Sequence, residues 1–143
     1  MYAMTRDERE AFLAGTHVGV LSVDEPGRGP LSMPIWYGYE RGAVIRIVTG
    51  GNSKKARLLR ASGRASLVVQ TETAPYQYVS VEGSVTFGTP DFQRDHHDIA
   101  CRYLGEPMGE MYLQMTAAER EGSILVMLKP ERWLSVDYSK MTM

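Results

Sequence analysis

The sequence predicts a mostly antiparallel β-barrel with α-helical elements, an α+β fold. About six or seven segments have strand-like patterns, and most of them follow one another at the spacing of hairpins. Helical patterns occupy only a few of the connections. Closing such a sheet into a barrel removes its exposed edges. The length of 143 residues is typical of one domain, so we expect a single domain over residues 1–143.

The first half of the chain gives two helices and four strands. Thr5 and Glu8 have the spacing of a capping box, which predicts a helix ending near Gly15. A second helix is predicted over 54–62, because a glycine-rich break precedes it and Gly63 can cap its carboxyl end. Alternating and β-branched residues predict the strands, which are 17–23, 31–40, 43–49 and 64–71.

The second half has the clearest strand pattern of the sequence. Over 78–87, Val79, Val81 and Val85 alternate with polar residues, as expected for a strand with one buried face. Two helices are predicted next, over 91–104 and 110–121, and two strands then end the chain, over 123–129 and 132–138.

Charge is distributed unevenly along the chain. The formal net charge is -1, which gives no general basicity for nucleic acid. No acidic residue lies between Glu40 and Glu72, however, and this stretch holds the cations Arg41, Arg46, Lys54, Lys55, Arg57, Arg60 and Arg64. The stretch therefore favours a bound anion. Binding of nucleic acid along 41–71 is a broader alternative that predicts strong salt dependence; our expectation is that nucleic acid is not a partner.

Several patterns bear on location. No apolar run approaches the roughly 20 residues that span a bilayer, so we expect no membrane segment. The first ten residues lack the apolar core of a signal peptide. A lone cysteine, Cys101, cannot form an internal disulfide. These observations favour a cytoplasmic protein.

The strongest local pattern surrounds the start of the second helix. Gly50 and Gly51 would let a ligand approach the backbone, and Ser53 to Lys55 would add a hydroxyl and two ammonium groups. Because a helix amino terminus also presents unpaired N–H groups, this combination suits a phosphate. The segment has neither the Walker A spacing nor the Rossmann glycine pattern. A capped surface helix with a solvated basic face remains the alternative.

Other chemical groups give weaker signals. His96 and His97 are adjacent, so on a helix their side chains point about 100° apart, and we expect a solvated helix face rather than a metal site. Cys101 has no recognisable catalytic partner. We expect Tyr37 to pack in the core or at an interface, because it alternates with Trp36 along the strand.

The order of these segments resembles the split-barrel flavin and deazaflavin oxidoreductases related to pyridoxamine 5′-phosphate oxidase. Ser53-Lys54-Lys55-Ala56 is similar to their Ser-Arg-Lys-Ala phosphate segment, and the strand ending in Glu82-Gly83 is similar to their next strand. The resemblance extends over nearly the whole chain, to the final Trp133–Tyr138. It implies a split β-barrel of the FMN-binding-protein type.

The resemblance also implies a set of cofactor-binding residues. The phosphate ligands would be Ser53, Lys54 and Lys55, with Arg57 on the next turn. The tricyclic ring would lie along the residues Met33, Pro34, Ile35 and Trp36, with Thr49 and Gln70 at nearby strand ends. No metal ligand and no catalytic side chain is implied.

The function implied by the resemblance is oxidoreductase activity in a homodimer whose sites lie at the subunit interface. A flavin-type cofactor, either FMN or the deazaflavin coenzyme of the F-420 type, would exchange a hydride with a small organic substrate. The ending 132–138 lacks the Arg and His of the oxidases, which disfavours pyridoxamine phosphate oxidation itself. A non-catalytic protein that binds a cofactor, haem or another tetrapyrrole on the same fold is the alternative.

Overall fold

The computed structural model describes residues 1–141, so the last two residues of the predicted domain, 142 and 143, lie outside it. The helices are α1 (Arg6–Ala14), α2 (Lys54–Ser62), α3 (Asp98–Leu104) and α4 (Glu106–Met115). The strands are β1 (Gly19–Val23), β2 (Leu31–Ile35), β3 (Ile45–Gly50), β4 (Arg64–Gln70), β5 (Gln77–Gly88), β6 (Ser123–Leu128) and β7 (Arg132–Asp137).

The strands form an antiparallel sheet that curls but does not fully close. Its order is β2-β1-β4-β5-β6-β3, and β7 pairs with β5 beside this path. The two end strands, β2 and β3, are not paired with each other along this path, and an isolated bridge joins Gly38, beyond the end of β2, to Arg46 of β3. The barrel is therefore split between β2 and β3, which confirms the predicted fold class.

Strand β5 is the longest strand and joins the two parts of the barrel. Its first part pairs with β4 and β7, and its last four residues pair with β6. Where the partner changes from β6 to β7, the backbone N–H groups of Lys129 and Glu131 donate to the carbonyls of Ser84 and Glu82. Gly83 lies between these two contacts, so the connecting backbone passes directly over it.

The core lies inside the curled sheet and is closed at one end by α1. Leu21, Ile45 and Leu67 are fully buried and come from three different strands. Tyr37 is also fully buried, and its hydroxyl donates to the carbonyl of Leu13 at 2.7 Å. Tyr37 is therefore a packing residue, as its alternation with Trp36 predicts.

The observed elements differ from the predicted ones mainly in the helical segment between β5 and β6. The helix predicted over 91–104 is a π-helical turn, Phe92–His97, followed by α3. Gly105, at φ 80°, then ends α3, and α4 begins at Glu106, four residues earlier than predicted. The predicted strand 31–40 stops at Ile35, because its later residues leave β1 and only Gly38 pairs with β3.

Candidate functional site

A cavity of about 560 Å³ opens where the barrel is split. The ends of β2 and β3 form one side of it, and the π-helical turn and α4 form the other. The size lies within the range of small-molecule sites, which is about 300 to 1,000 Å³. The cavity is therefore the candidate binding site.

Aromatic side chains form one wall of the cavity. Trp36, just beyond β2, stacks on Tyr103 with a centroid separation of 5.1 Å and an angle of 6° between the rings. Tyr112 of α4 meets Trp36 at 5.3 Å, tilted by 55°. Trp36 and Tyr112 both line the cavity. Such a wall can stack on a planar ring while its polar edges stay hydrated.

Lys55, in the first turn of α2, is the cation that the second helix brings to the cavity. Ser53 caps this helix: its hydroxyl accepts from the N–H of Ala56 at 3.1 Å and donates to the carbonyl of Gly50 at 2.8 Å. These bonds fix the start of the helix beside the end of β3. Lys55 is half-buried and has no ion-pair or hydrogen-bond partner among residues 1–141. Burial lowers the pKa of its ammonium group, because desolvation disfavours the charged form.

Most cations of the acid-free stretch are already paired. Lys54 lies 2.9 Å from the carboxylate of Glu25, and Arg41 and Arg64 pair with carboxylates on the surface. Arg60 donates to the carbonyl of Gly51 at 2.8 Å. Of the seven cations between Glu40 and Glu72, Lys55 alone combines partial burial, a place in the cavity and the lack of a partner among the described residues.

A buried ion pair stabilises the helical side of the cavity. Asp95 is fully buried at the side chain and accepts two hydrogen bonds from the Arg46 guanidinium, at 2.6 and 2.8 Å. The N–H of Asp91 donates to the same carboxylate at 2.8 Å. Burial raises the pKa of Asp95, but the bonds from Arg46 and Asp91 outweigh it and the net pKa is lowered. The pair attaches the π-helical turn to β3.

The two adjacent histidines face different surroundings. His96 is half-buried and lines the cavity, where burial and the Arg120 guanidinium lower its pKa. His97 lies 3.1 Å from the carboxylate of Asp98, which raises the pKa of His97. The expectation of a solvated face is therefore wrong for His96. His96 belongs to the π-helical turn Phe92–His97, which sequence patterns do not predict.

The structure brings together about half of the predicted cofactor-binding residues. Those that line the cavity are Pro34, Ile35, Trp36, Thr49 and Lys55. Those that lie outside its lining are Met33, Ser53, Lys54, Arg57 and Gln70.

The residues outside the lining have identifiable positions. Met33 packs against the barrel core, Ser53 caps α2, and Arg57 is exposed on that helix. Gln70 ends β4 on the outer face of the sheet, opposite Tyr78.

The ionisable members of the lining that the predicted site lacks include Asp95, His96, Glu119 and Arg120. The bidentate pair between Arg46 and Asp95 joins residues 49 positions apart, so no local spacing could reveal it. Within residues 1–141, no group of three or more acidic, histidine or cysteine side chains is arranged to hold a metal ion. No helix in that range has the length and apolarity needed to cross a membrane.

Comparison with solved structures shows the same fold in proteins of low sequence identity. A conserved hypothetical protein from Mycobacterium tuberculosis superposes with a TM-score of 0.77 at 24% identity, covering 99% of this chain and 92% of that one. An F-420 reductase superposes with a TM-score of 0.63 at 20% identity, covering 87% of this chain and 94% of that one. A putative pyridoxamine 5′-phosphate oxidase from Listeria innocua superposes with a TM-score of 0.65 at 10% identity, covering 91% of this chain and 96% of that one.

The chain thus has the split-barrel fold of the pyridoxamine 5′-phosphate oxidase-like proteins, in agreement with the resemblance seen in its sequence. No family model matches the sequence, and no curated protein matches it either. At these identities the similarity defines the fold, and the function has to be argued from the site.

Proposed function

We propose that this protein binds a phosphate-bearing flavin-type cofactor in the cavity at the split and transfers a hydride between it and a small organic substrate. The observation that carries the proposal is Lys55, a half-buried ammonium group without a partner among the described residues, in the same cavity as Trp36 and Tyr112. A phosphate would compensate the charge, and a tricyclic ring would occupy the aromatic wall. Structures of the same fold include a protein named as an F-420 reductase, which supports this proposal.

The residues of the cavity fit such a group. The amino terminus of α2 and Lys55 would hold the phosphate, and Trp36 and Tyr112 would position the ring. Ile35, Val48 and Ile99 provide the apolar lining that keeps water away from the ring. The cofactor, when bound, supplies the redox chemistry. FMN and the deazaflavin coenzyme both carry a phosphate that Lys55 would bind. The proposal therefore covers either cofactor.

Replacing Lys55 tests the phosphate position. We expect Lys55→Ala to weaken binding of FMN or the deazaflavin coenzyme by roughly 1 to 3 kcal/mol, because one charge-assisted contact is lost. Lys54→Ala is the matched control: Lys54 precedes Lys55 in α2 but pairs with Glu25. We expect it to have the smaller effect. Affinity is measured by following flavin fluorescence or absorbance during titration.

Riboflavin, which lacks the phosphate, should bind the wild type and Lys55→Ala equally weakly. If Lys55→Ala leaves the affinity for both phosphate-bearing cofactors unchanged, Lys55 is not part of the site.

We also propose a homodimer in which a second subunit closes this cavity. A line of small and apolar residues crosses the outer face of the sheet from strand to strand: Pro34, Val20, Val68, Ser80 and Leu134. Leu134 is 60% exposed and Val20 is 37% exposed. Val18, on the same face, is 56% exposed and lines the cavity. A second copy seated on this face would bury the apolar line and complete the cavity wall at Val18.

A charge on this face should prevent dimerisation. We expect Val20→Glu to be monomeric at concentrations at which the wild type is dimeric, because the carboxylate would be buried without a partner. Thr86→Glu, on an exposed part of β5 away from this line, should remain dimeric. Sedimentation velocity distinguishes the two states, and a monomeric wild type would contradict the proposal.

Haem binding is the second candidate function, and His96 favours it. An imidazole that is half-buried in a cavity can serve as an axial ligand for haem iron. This function predicts a Soret band on addition of haemin, lost in His96→Ala, together with no affinity for FMN or the deazaflavin coenzyme. Flavin binding predicts the opposite pair of results.

A further inference from the structure

Two groups that can carry positive charge lie near the same aromatic ring at the helical end of the cavity. The Arg120 guanidinium lies 5.3 Å from the centroid of the Phe92 ring, and the His96 ring lies 6.0 Å from the same ring. Both His96 and Arg120 line the cavity. The Phe92 ring is therefore close to two side chains that can be positively charged and that line the same cavity.

The charge of Arg120 is not compensated by a nearby carboxylate. Within residues 1–141 it has no ion pair, and its hydrogen bond goes to the carbonyl of Leu113. Asp95 lies next to His96, but its carboxylate is already occupied by Arg46. Glu119 also lines the cavity, and it is exposed and does not pair with Arg120.

The effect of Arg120 on its neighbour supports this description. Burial and Arg120 lower the pKa of His96, and Asp95 opposes them. Lys55 and Tyr112 are the other titratable groups along the cavity wall. An anion between His96 and Arg120 would compensate both charges and favour the protonated imidazole.

We propose that His96 and Arg120 bind an oxyanion of the substrate, a carboxylate or a phosphate, at a position separate from the one assigned to Lys55. Lys55 projects from α2, whereas His96 and Arg120 belong to the π-helical turn and to the 3-10 turn Ala117–Arg120. The inference rests on the proposed function in one respect, because the cofactor phosphate is assigned to Lys55. The proposed oxyanion position makes the expected substrate an anionic small molecule.

Histidine titration by NMR tests this position without any assay of activity. The pKa of His96 is measured in the purified protein with and without saturating inorganic phosphate, and again with acetate as the carboxylate probe. In the wild type we expect each anion to raise the His96 pKa by about 1 pH unit. In Arg120→Gln the pKa in the absence of anion should already be higher, and the response to either anion should be lost.

Two controls show whether the response is local. His97 lies on the same turn but pairs with Asp98, so its pKa should be unaffected by the anions. Arg94→Gln removes an exposed cation of the same turn that does not line the cavity, and it should keep the response of His96. A wild-type His96 pKa that does not rise with either anion, or that rises equally in Arg120→Gln, overturns the proposal.

A further comparison separates the substrate position from the cofactor phosphate. The response of His96 to phosphate should persist in Lys55→Ala and in wild type saturated with the flavin-type cofactor that it binds. Loss of the response in Lys55→Ala or in the cofactor complex would mean that one anion site serves all three residues, and the separate position would be wrong. Failure of cofactor binding, by contrast, would contradict the proposed function. The anion response of His96 in the cofactor-free protein would still decide whether His96 and Arg120 bind an oxyanion.

Discussion

Gly83→Ala should unfold at a much lower denaturant concentration than the wild type. A Cβ atom at this position would lie 1.8 Å from the carbonyl oxygen of Lys129 and 2.9 Å from a carboxylate oxygen of Glu131. The obstructing atom belongs to the backbone that passes from β6 to β7, so it cannot move away without breaking the pairing on both sides. We expect the free energy of unfolding to fall by more than the roughly 1 to 3 kcal/mol that is typical of an overpacked core.

Gly88→Ala is the matched control, on the same strand. There the nearest atom to an added Cβ is the terminal carbon of Met127 at 3.4 Å, which is ordinary contact with a flexible side chain. Urea unfolding followed by tryptophan fluorescence compares the variants. If Gly83→Ala and Gly88→Ala unfold at the same urea concentration, the described crossing over β5 is wrong.

Asp95→Ala should be the second strongly destabilising change. It leaves the Arg46 guanidinium, only 15% exposed, without its carboxylate partner. Removing one member of a buried pair costs about 3 to 5 kcal/mol. It also frees the N–H of Asp91 and detaches the π-helical turn from β3. Asp98→Asn, which changes an exposed carboxylate on α3, should cost far less.

The contribution of Asp95 should depend on pH. Its pKa in the folded protein is lowered from the ordinary value of 3.8, so the stabilisation is fully present above that value and is lost as the pH falls through the folded pKa. The difference in stability between the wild type and Asp95→Ala should therefore be constant near neutrality and shrink in acid. A difference that stays constant into acid would show that the charge of Asp95 is not what stabilises the turn.

Local patterns predicted the barrel well because most of its features are encoded over short distances. The alternation of Val79, Val81 and Val85, the capping box at Thr5 and the cap at Gly63 each depend on residues a few positions apart. The start of α2 also has a local origin: Ser53 caps the helix, and Lys55 in its first turn lines the cavity.

The helical side of the site could not be predicted in the same way. His96 lies in a π-helical turn that stands where a regular helix was expected, and the turn is attached to β3 through the pair between Asp95 and Arg46. The difference between Lys54 and Lys55 likewise depends on Glu25, which is distant in sequence but 2.9 Å away in space. Long-range ion pairs decide which of several similar side chains are available to a ligand.

Binding of a phosphate-bearing flavin-type cofactor in the cavity at the split can be tested directly. The purified protein is titrated with FMN, the deazaflavin coenzyme and riboflavin, each in oxidised and reduced form, and absorbance and fluorescence are followed. We predict saturable binding of at least one of the two phosphate-bearing cofactors, more tightly than riboflavin and with perturbed absorbance of the ring. Absence of binding by FMN and by the deazaflavin coenzyme in both redox states would contradict the proposed function.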